Sequence, residues 1–330
     1  VLNKIGGAQF VRQHVGQALN QQVSRREANR ILDLTELTET VVTRIVSRLS
    51  EEALLRQLRI KHDLYAKVAP HIGARTIFVS NTSGLSINQL SDALPAELRS
   101  KFCGVHFFNP PRYLRLLEII PQSDTDPEVI DFLMHYGDLI LGKTTVCCKD
   151  TPGFIANRIG TFGIMSLFRL ADKMGLTIDE VDALTGPVIG RPKSATFRTA
   201  DVVGIDTLVK VAQGIETHCT ADDQRSVFGI PDWLQQMVDK KWLGDKTGQG
   251  FFKKTKNAAG EKEILTLDLK TMEYGPRKKP KFGSVEAARP IDDLKTRLKA
   301  LCTGMDKAGD FYRHFHYGLF SYISQRVPEI

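Results

Sequence analysis

A single histidine, His106, and a single glutamate, Glu118, lie in the apolar, strand-like stretch CGVHFFNPPRYLRLLEI, which spans residues 103–119. Burying either group alone costs several kcal/mol, so the two side chains are expected to meet each other or a ligand. A turn at the Asn-Pro-Pro sequence after the histidine would fold the glutamate back onto it. The sequence therefore predicts a His–Glu contact inside the fold.

The chemistry open to such a pair is general base catalysis. A carboxylate against one ring nitrogen fixes the tautomer, stabilises the imidazolium and leaves the other nitrogen free to take a proton. His106 comes at the end of a strand, and the ligands of open α/β sheets gather at the carboxyl ends of strands. Taken alone, the spacing favours a structural buried contact, and a catalytic pair is the alternative.

Two further polar residues are candidates for the same cleft. Ser83 follows a strand-like run in FVSNTSGL, and Asn157 lies in TPGFIANR, where a long apolar helix begins. An asparagine inside an apolar helix is unfavourable unless its amide is hydrogen-bonded. Each residue alone has a structural explanation, the first as a turn or cap residue and the second as a helix-packing contact. With the His–Glu pair, however, they indicate one site.

Alternating strands and helices must position these residues in roughly the first 150 residues of the chain. Apolar runs predict strands, and apolar residues three and four positions apart predict helices. The segments are a helix at 8–22, an apolar run at 30–34, a helix at 60–72, a strand at 75–81, a helix at 86–94 and a strand at 101–108. Strand, helix and strand in repetition predict a parallel sheet with helices on both faces.

The pattern changes after residue 151. A long apolar helix is predicted to end at Gly175, and the next one begins with Thr177, whose side chain can form a capping box with Glu180. Residues 253–290 are rich in Lys, Gly and Pro and are predicted to form a linker. The last forty or so residues are again predicted to be helical. A helical second part therefore follows the sheet.

Composition restricts the class of protein. The chain has 330 residues, of which 42% are hydrophobic and 25% charged, and a net charge of +7. The basic run at 277–281 lacks interleaved aromatic residues and is expected to be a solvated loop, so no nucleic-acid partner is expected. Five cysteines without metal-site spacing predict free thiols and no metal site. The absence of a long apolar run and of a signal-peptide pattern predicts no membrane span and a cytoplasmic location.

Six segments together resemble one enzyme family. They are IKHDLYAKVAPHI, SNTSGLSI, FCGVHFFNPPRYLRLLEII, KDTPGFIANRIG, GRPKSATFRTADVVGIDT and KTGQGFF. The chain is similar over about residues 30–330 to the L-3-hydroxyacyl-CoA dehydrogenases of fatty-acid β-oxidation, most of all to long bacterial members with an enoyl-CoA hydratase domain further on. The resemblance implies a Rossmann-like, mostly parallel α/β domain followed by an all-α domain for substrate binding or dimerisation.

The resemblance also implies domain limits and partners. Residues 1–150 would form the NAD-binding domain with an incomplete first part, 151–254 the helical C-terminal domain, and 255–330 a linker and a partial second helical repeat. The cofactor would be NAD and the substrate an acyl-CoA thioester. A covalent continuation into a hydratase domain and a homo-oligomer are further expectations.

The site residues follow from the same resemblance. His106 would be the base that takes the 3-hydroxyl proton, Glu118 its orienting partner, and Ser83 and Asn157 the groups that bond the 3-oxygen. The family's cofactor-binding positions match five residues of this chain: Gly7, Asp33, Lys61, Ser83 and Asn109. The expected reaction is the NAD-linked oxidation of the 3-hydroxyl to a ketone.

The first sixty residues depart from the family pattern. A dinucleotide-binding fold opens with strand, GxGxxG and helix, and an acid follows about 20 positions on. Here Gly6 and Gly7 remain, Asp33 comes 26 positions after Gly7, and EEALLRQLRIK resembles a strand-ending segment with Arg56 in place of a carboxylate. Either segments of sequence are missing or the nucleotide site is degraded.

Two other functions therefore stay open beside the dehydrogenase. One is a dehydrogenase of small free 3-hydroxy acids, although such enzymes usually rely on a catalytic lysine. The other is a catalytically silent acyl-CoA-binding or assembly domain that kept the fold and lost its affinity for the cofactor. Assays with a CoA thioester and a titration with NADH separate the three.

Overall fold

The computed structural model of the protein describes residues 51–257 and 260–330. Four sequence predictions lie outside the described residues: the helix at 8–22, the apolar run at 30–34, Gly7 and Asp33.

A four-stranded mixed sheet forms the first described layer. Its strands are β1 (Phe78–Ser80), β2 (Phe102–Phe107), β3 (Leu116–Pro121) and β4 (Thr144–Cys147), in the spatial order β1-β2-β3-β4. The β1–β2 and β3–β4 pairs are parallel, as is usual when helical crossovers connect the strands. The β2–β3 pair is antiparallel, and the loop at 108–115 joins these two strands with no helix between them. The predicted strands at 75–81 and 101–108 are confirmed.

Four helices accompany this sheet: α1 (Glu51–Val68), α2 (Ile87–Ser91), α3 (Ala96–Arg99) and α4 (Pro127–His135). Ser86 caps α2 by accepting a hydrogen bond from the backbone N–H of Gln89. The predicted helices at 60–72 and 86–94 are confirmed. The prediction that the segment from Glu51 ends a strand is wrong, since its Ala, Leu, Glu, Gln and Arg residues are strong helix formers and begin α1.

The apolar core of this part lies between α1, α2 and the sheet. The ring of Tyr65 packs edge-on against Phe78, with ring centroids 4.9 Å apart, and Phe102 completes the cluster. These contacts fix α1 against the strands that carry the candidate residues.

A helical region follows, with one continuous apolar core. Its helices are α5 (Ala156–Met174), α6 (Ile178–Thr185), α7 (Phe197–Val203), α8 (Ile205–His218), α9 (Asp232–Asp239), α10 (Gly283–Ala288), α11 (Leu294–Thr303) and α12 (Lys307–Arg326). As predicted, α5 ends at Gly175, which adopts the left-handed conformation that glycine tolerates best (φ 58°), and Thr177 and Glu180 form a capping box at the start of α6.

The predicted linker at 253–290 is wrong. An antiparallel sheet of three strands, β5 (Phe252–Lys256), β6 (Lys262–Leu267) and β7 (Tyr274–Pro276), occupies much of it, and α10 follows. Exposed lysines on the outer face of β5 and β6 give the segment a linker-like composition and hide the alternation of its strands. The Asp201 carboxylate accepts hydrogen bonds from the N–H groups of Phe251 and Phe252 and anchors this sheet to α7.

Candidate active site

His106 and Glu118 are directly opposite each other in the antiparallel β2–β3 pair. The Nδ1 atom of His106 lies 2.6 Å from Oε2 of Glu118, within hydrogen-bonding distance. A carboxylate only accepts, so the imidazole carries its proton on Nδ1 and donates it to the glutamate. The predicted contact is confirmed, and in this tautomer Nε2 is the ring nitrogen that can accept a hydrogen bond or a proton.

The second carboxylate oxygen of Glu118 faces the beginning of α5. Oε1 accepts hydrogen bonds from the backbone N–H groups of Ile155, at 3.0 Å, and Ala156, at 2.8 Å. Amide groups at a helix N-terminus have no partner within the helix and favour a negative charge. Although the Glu118 side chain is fully buried, its charge is therefore held by three hydrogen bonds.

Aromatic rings surround the imidazole. The centroid of the Phe108 ring lies 4.5 Å from that of His106, and the Phe154 ring meets it edge-on at 5.7 Å. The side chain of His106 is 7% exposed. These rings limit the access of water to the imidazole.

Ser83 and Asn157 are tied to the pair through neighbouring residues. Ser83 is half-buried on the loop after β1, where the side-chain oxygen of Asn81 accepts a hydrogen bond from the N–H of Phe107, the residue after His106. Asn157 is the second residue of α5 and directly follows Ala156, which binds Glu118. Among the described residues, neither side chain is hydrogen-bonded to the His–Glu pair.

Besides Ser83, two more of the cofactor candidates lie in the described residues. Lys61 is half-buried on α1, and burial lowers the pKa of its ammonium group. Asn109 is exposed, two residues after the end of β2. Within the part of the chain that the structure describes, no hydrogen bond joins either residue to His106 or Glu118.

Asp150 is a site-building residue that sequence reasoning missed. Its carboxylate accepts hydrogen bonds from the hydroxyl of Ser86 (2.6 Å), the N–H groups of Ile87 and Asn88 (both 2.9 Å) and the side-chain amide of Asn88 (2.8 Å). It clamps the loop that carries Ser83 to the segment that leads into α5. Its position shortly after a strand, before Thr-Pro-Gly, was the available signal.

The described residues contain no group of three or more His, Cys, Asp or Glu side chains arranged to hold a metal ion. In the same part of the chain, no helix combines the length and apolar character needed to cross a bilayer. All five cysteines are free thiols.

Comparison with known proteins gives consistent matches. Residues 6–151 match the model of the 3-hydroxyacyl-CoA dehydrogenase NAD binding domain, and residues 153–254 match that of the 3-hydroxyacyl-CoA dehydrogenase C-terminal domain. A probable 3-hydroxyacyl-CoA dehydrogenase of Bacillus subtilis is 44% identical over 84% of this chain, but the chain spans only 35% of that relative.

Two other proteins are matched over more of their own length. A probable 3-hydroxyacyl-CoA dehydrogenase of Caenorhabditis elegans is 30% identical over 73% of this chain and 79% of its own. The crystal structure of (S)-3-hydroxybutyryl-CoA dehydrogenase from Ralstonia eutropha is 28% identical, covers 58% of this chain and 65% of its own, and superposes with a TM-score of 0.52.

Proposed function

Because the chain belongs to the 3-hydroxyacyl-CoA dehydrogenase family, we propose that it catalyses the NAD-dependent oxidation of L-3-hydroxyacyl-CoA to 3-ketoacyl-CoA. The observation that carries the proposal is the buried His106–Glu118 pair. Both carboxylate oxygens are hydrogen-bonded, and no hydrogen bond from the described residues occupies Nε2 of the imidazole. A merely structural contact does not require an unpaired base nitrogen at the carboxyl end of a strand. The arrangement supports a base for a hydroxyl proton.

In this proposal His106 takes the proton of the substrate 3-hydroxyl on Nε2. Glu118 holds the Nδ1 proton and stabilises the imidazolium that forms, and the α5 amides fix the orientation of the carboxylate. Ser83 and Asn157 bond the 3-oxygen and orient it toward the base. The apolar rings of Phe108 and Phe154 limit the access of water to the imidazole.

The described part of the site fits a nicotinamide cofactor. The parallel strands β1 and β2 end side by side, and Gly84, on the loop after β1, has open space where a side chain would stand. Lys61, Ser83 and Asn109 would line the nicotinamide half. Gly7 would be the last glycine of the phosphate-binding fingerprint, and Asp33 would bind the ribose. When bound, NAD would supply the hydride acceptor for carbon 3 of the substrate.

The remaining proposals concern organisation and location. We propose an NAD-binding domain over residues 1–150 and a helical domain over 151–254, which the two family matches support. A covalent continuation into a hydratase domain and assembly into a homo-oligomer stay predictions from the resemblance. A cytoplasmic location is supported by five free thiols, which persist in reducing compartments.

The test is the oxidation of NADH by the full chain with acetoacetyl-CoA, followed by absorbance and repeated with free acetoacetate. His106→Gln is expected to lower kcat by about a hundredfold to ten-thousandfold, because general base assistance is worth that much. Its affinity for NADH in a fluorescence titration should stay unchanged. Turnover of acetoacetate alone would indicate a free-acid dehydrogenase, and a wild-type chain that binds acetoacetyl-CoA but not NADH would refute the proposal.

A further inference from the structure

The segment that enters α5 has an unusual backbone. Gly153 and Phe154 both adopt positive φ angles, 79° and 50°. Glycine takes this left-handed conformation readily, whereas a bulky residue such as phenylalanine is an outlier there. Backbone strain of this kind persists only where the surrounding structure enforces it, and it concentrates at functional sites.

The turn has a geometric consequence for the site. The two residues after it, Ile155 and Ala156, point their N–H groups at Oε1 of Glu118. The N–H of Arg158 donates to the carbonyl of Gly153 at 3.1 Å and closes the turn onto the helix. The strained pair thus aims the first amides of α5 at a carboxylate on a separate strand.

The Phe154 side chain contacts the other member of the pair. Phe154 is 2% exposed, and the centroid of its ring lies 5.7 Å from that of the His106 imidazole, with the ring planes at 60°. The turn at Phe154 therefore places the two amides that bind Glu118, and the ring of the same residue contacts His106. A residue that merely filled the core would need neither the positive φ nor this contact.

We infer that Phe154 is a positioning residue of the proposed dehydrogenase. Its left-handed backbone fixes the Glu118 carboxylate through the α5 amides, and its ring fixes the imidazole plane, so that the base nitrogen points at the substrate hydroxyl. Neither effect involves contact with substrate. The inference rests on the proposed function for its kinetic consequence but not for its structural one.

The experiment compares Phe154→Leu with Phe168→Leu in the full chain. Both replace a buried phenylalanine by an apolar side chain. Phe168 is the control because it lies inside α5, in the core of the helical region and away from the His106–Glu118 pair. Phe154→Leu is expected to lower kcat about tenfold to a hundredfold, the effect of a small misplacement of a reacting group. The KM values for acetoacetyl-CoA and NADH should change less than about twofold. Phe168→Leu should leave kcat unchanged.

A spectroscopic readout separates this inference from the proposed function. The short Nδ1–H···Oε2 hydrogen bond of the wild-type chain should give a strongly downfield proton resonance, assigned by its loss in His106→Gln. Phe154→Leu should shift or broaden this resonance, and Phe168→Leu should leave it in place. An unchanged resonance and kcat in folded Phe154→Leu would overturn the inference. If the wild-type chain turns over no substrate, the proposed function fails, and the resonance alone decides the positioning role.

A second variant covers the case in which Phe154→Leu does not fold. Phe154→Gly removes the ring but relieves the backbone strain, because glycine adopts the positive φ without penalty. It should retain the Glu118 contacts and perturb only the imidazole, with a fall in kcat and a shifted resonance. Wild-type values for both readouts would equally overturn the inference.

Discussion

Replacing Glu118 by glutamine tests the site most directly, because the change removes a charge without changing the shape of the side chain. The carboxylate accepts one hydrogen bond from His106 and two from the backbone N–H groups of Ile155 and Ala156. A glutamine amide offers one acceptor oxygen and one donor NH₂ group. The amide must therefore face one set of partners with the wrong group.

The expected loss of activity depends on which orientation of the glutamine amide has the lower free energy. Turning the NH₂ toward α5 would leave two buried N–H donors without acceptors, at about 1–3 kcal/mol each. The oxygen therefore stays on the amides, and the NH₂ group faces the imidazole of His106. Nδ1 must then accept, which moves the ring proton to Nε2 and removes the free base nitrogen. We expect kcat to fall by about two to four orders of magnitude, or about 2.7–5.4 kcal/mol at 1.36 kcal/mol per tenfold.

The assay is the steady-state oxidation of NADH with acetoacetyl-CoA, with thermal unfolding measured alongside. Glu118→Gln should keep the KM for both substrates and should lower the melting temperature by only a few degrees. Glu180→Gln is the matched control, since Glu180 caps α6 away from the pair. Full activity in Glu118→Gln, or an equal loss in the control, would refute the tautomer argument.

Two more predictions concern half-buried carboxylates. Asp150→Ala removes the acceptor of four hydrogen bonds from residues 86–88 and should lower the free energy of unfolding in urea by about 2–3 kcal/mol; an unchanged value would show that the clamp does not stabilise the loop. Burial raises the pKa of Asp182 to about 6, above its unfolded value of about 3.9. The folded state thus binds this proton more tightly, so the stability that it adds is complete below about pH 3.9 and is lost as the pH rises through 6. Relative to Asp182→Asn, the wild-type chain should therefore gain stability on acidification from pH 7 to pH 5, and parallel pH curves would contradict the assignment.

Local patterns sufficed to predict much of this fold. The end of α5 at Gly175 and the capping box of Thr177 and Glu180 follow from signals within a few residues. The His106–Glu118 contact was also within reach, because a turn at two prolines lies between the members of the pair and the strands are apolar on both sides. Such features need no knowledge of the rest of the chain.

Other features depend on partners far away along the chain. The Asp150 carboxylate accepts a hydrogen bond from Ser86, which lies 64 positions away in the sequence. The residues around Ser86 do not indicate that its hydrogen-bond acceptor follows β4. The β5–β7 sheet escaped prediction because lysines on its exposed face conceal the strand alternation. Its anchor, Asp201, lies 50 residues before Phe251. The composition of a segment does not reveal which distant element covers it.

The candidate site also combines a contact between nearby strands with a contact from a distant part of the chain. His106 and Glu118 are brought together by the antiparallel β2–β3 pair, the one place in the described four-stranded sheet where no helix lies between consecutive strands. The amides that hold the other side of the carboxylate arrive only after α4 and β4, 37 residues beyond Glu118. Without those amides, the strand pair alone would bury a carboxylate with one hydrogen bond, which is unfavourable. The His106–Glu118 contact therefore sets which imidazole nitrogen can act as a base, and the α5 amides make the burial of the Glu118 carboxylate favourable. A change in either set of hydrogen bonds should alter the position or the tautomer of the His106 imidazole.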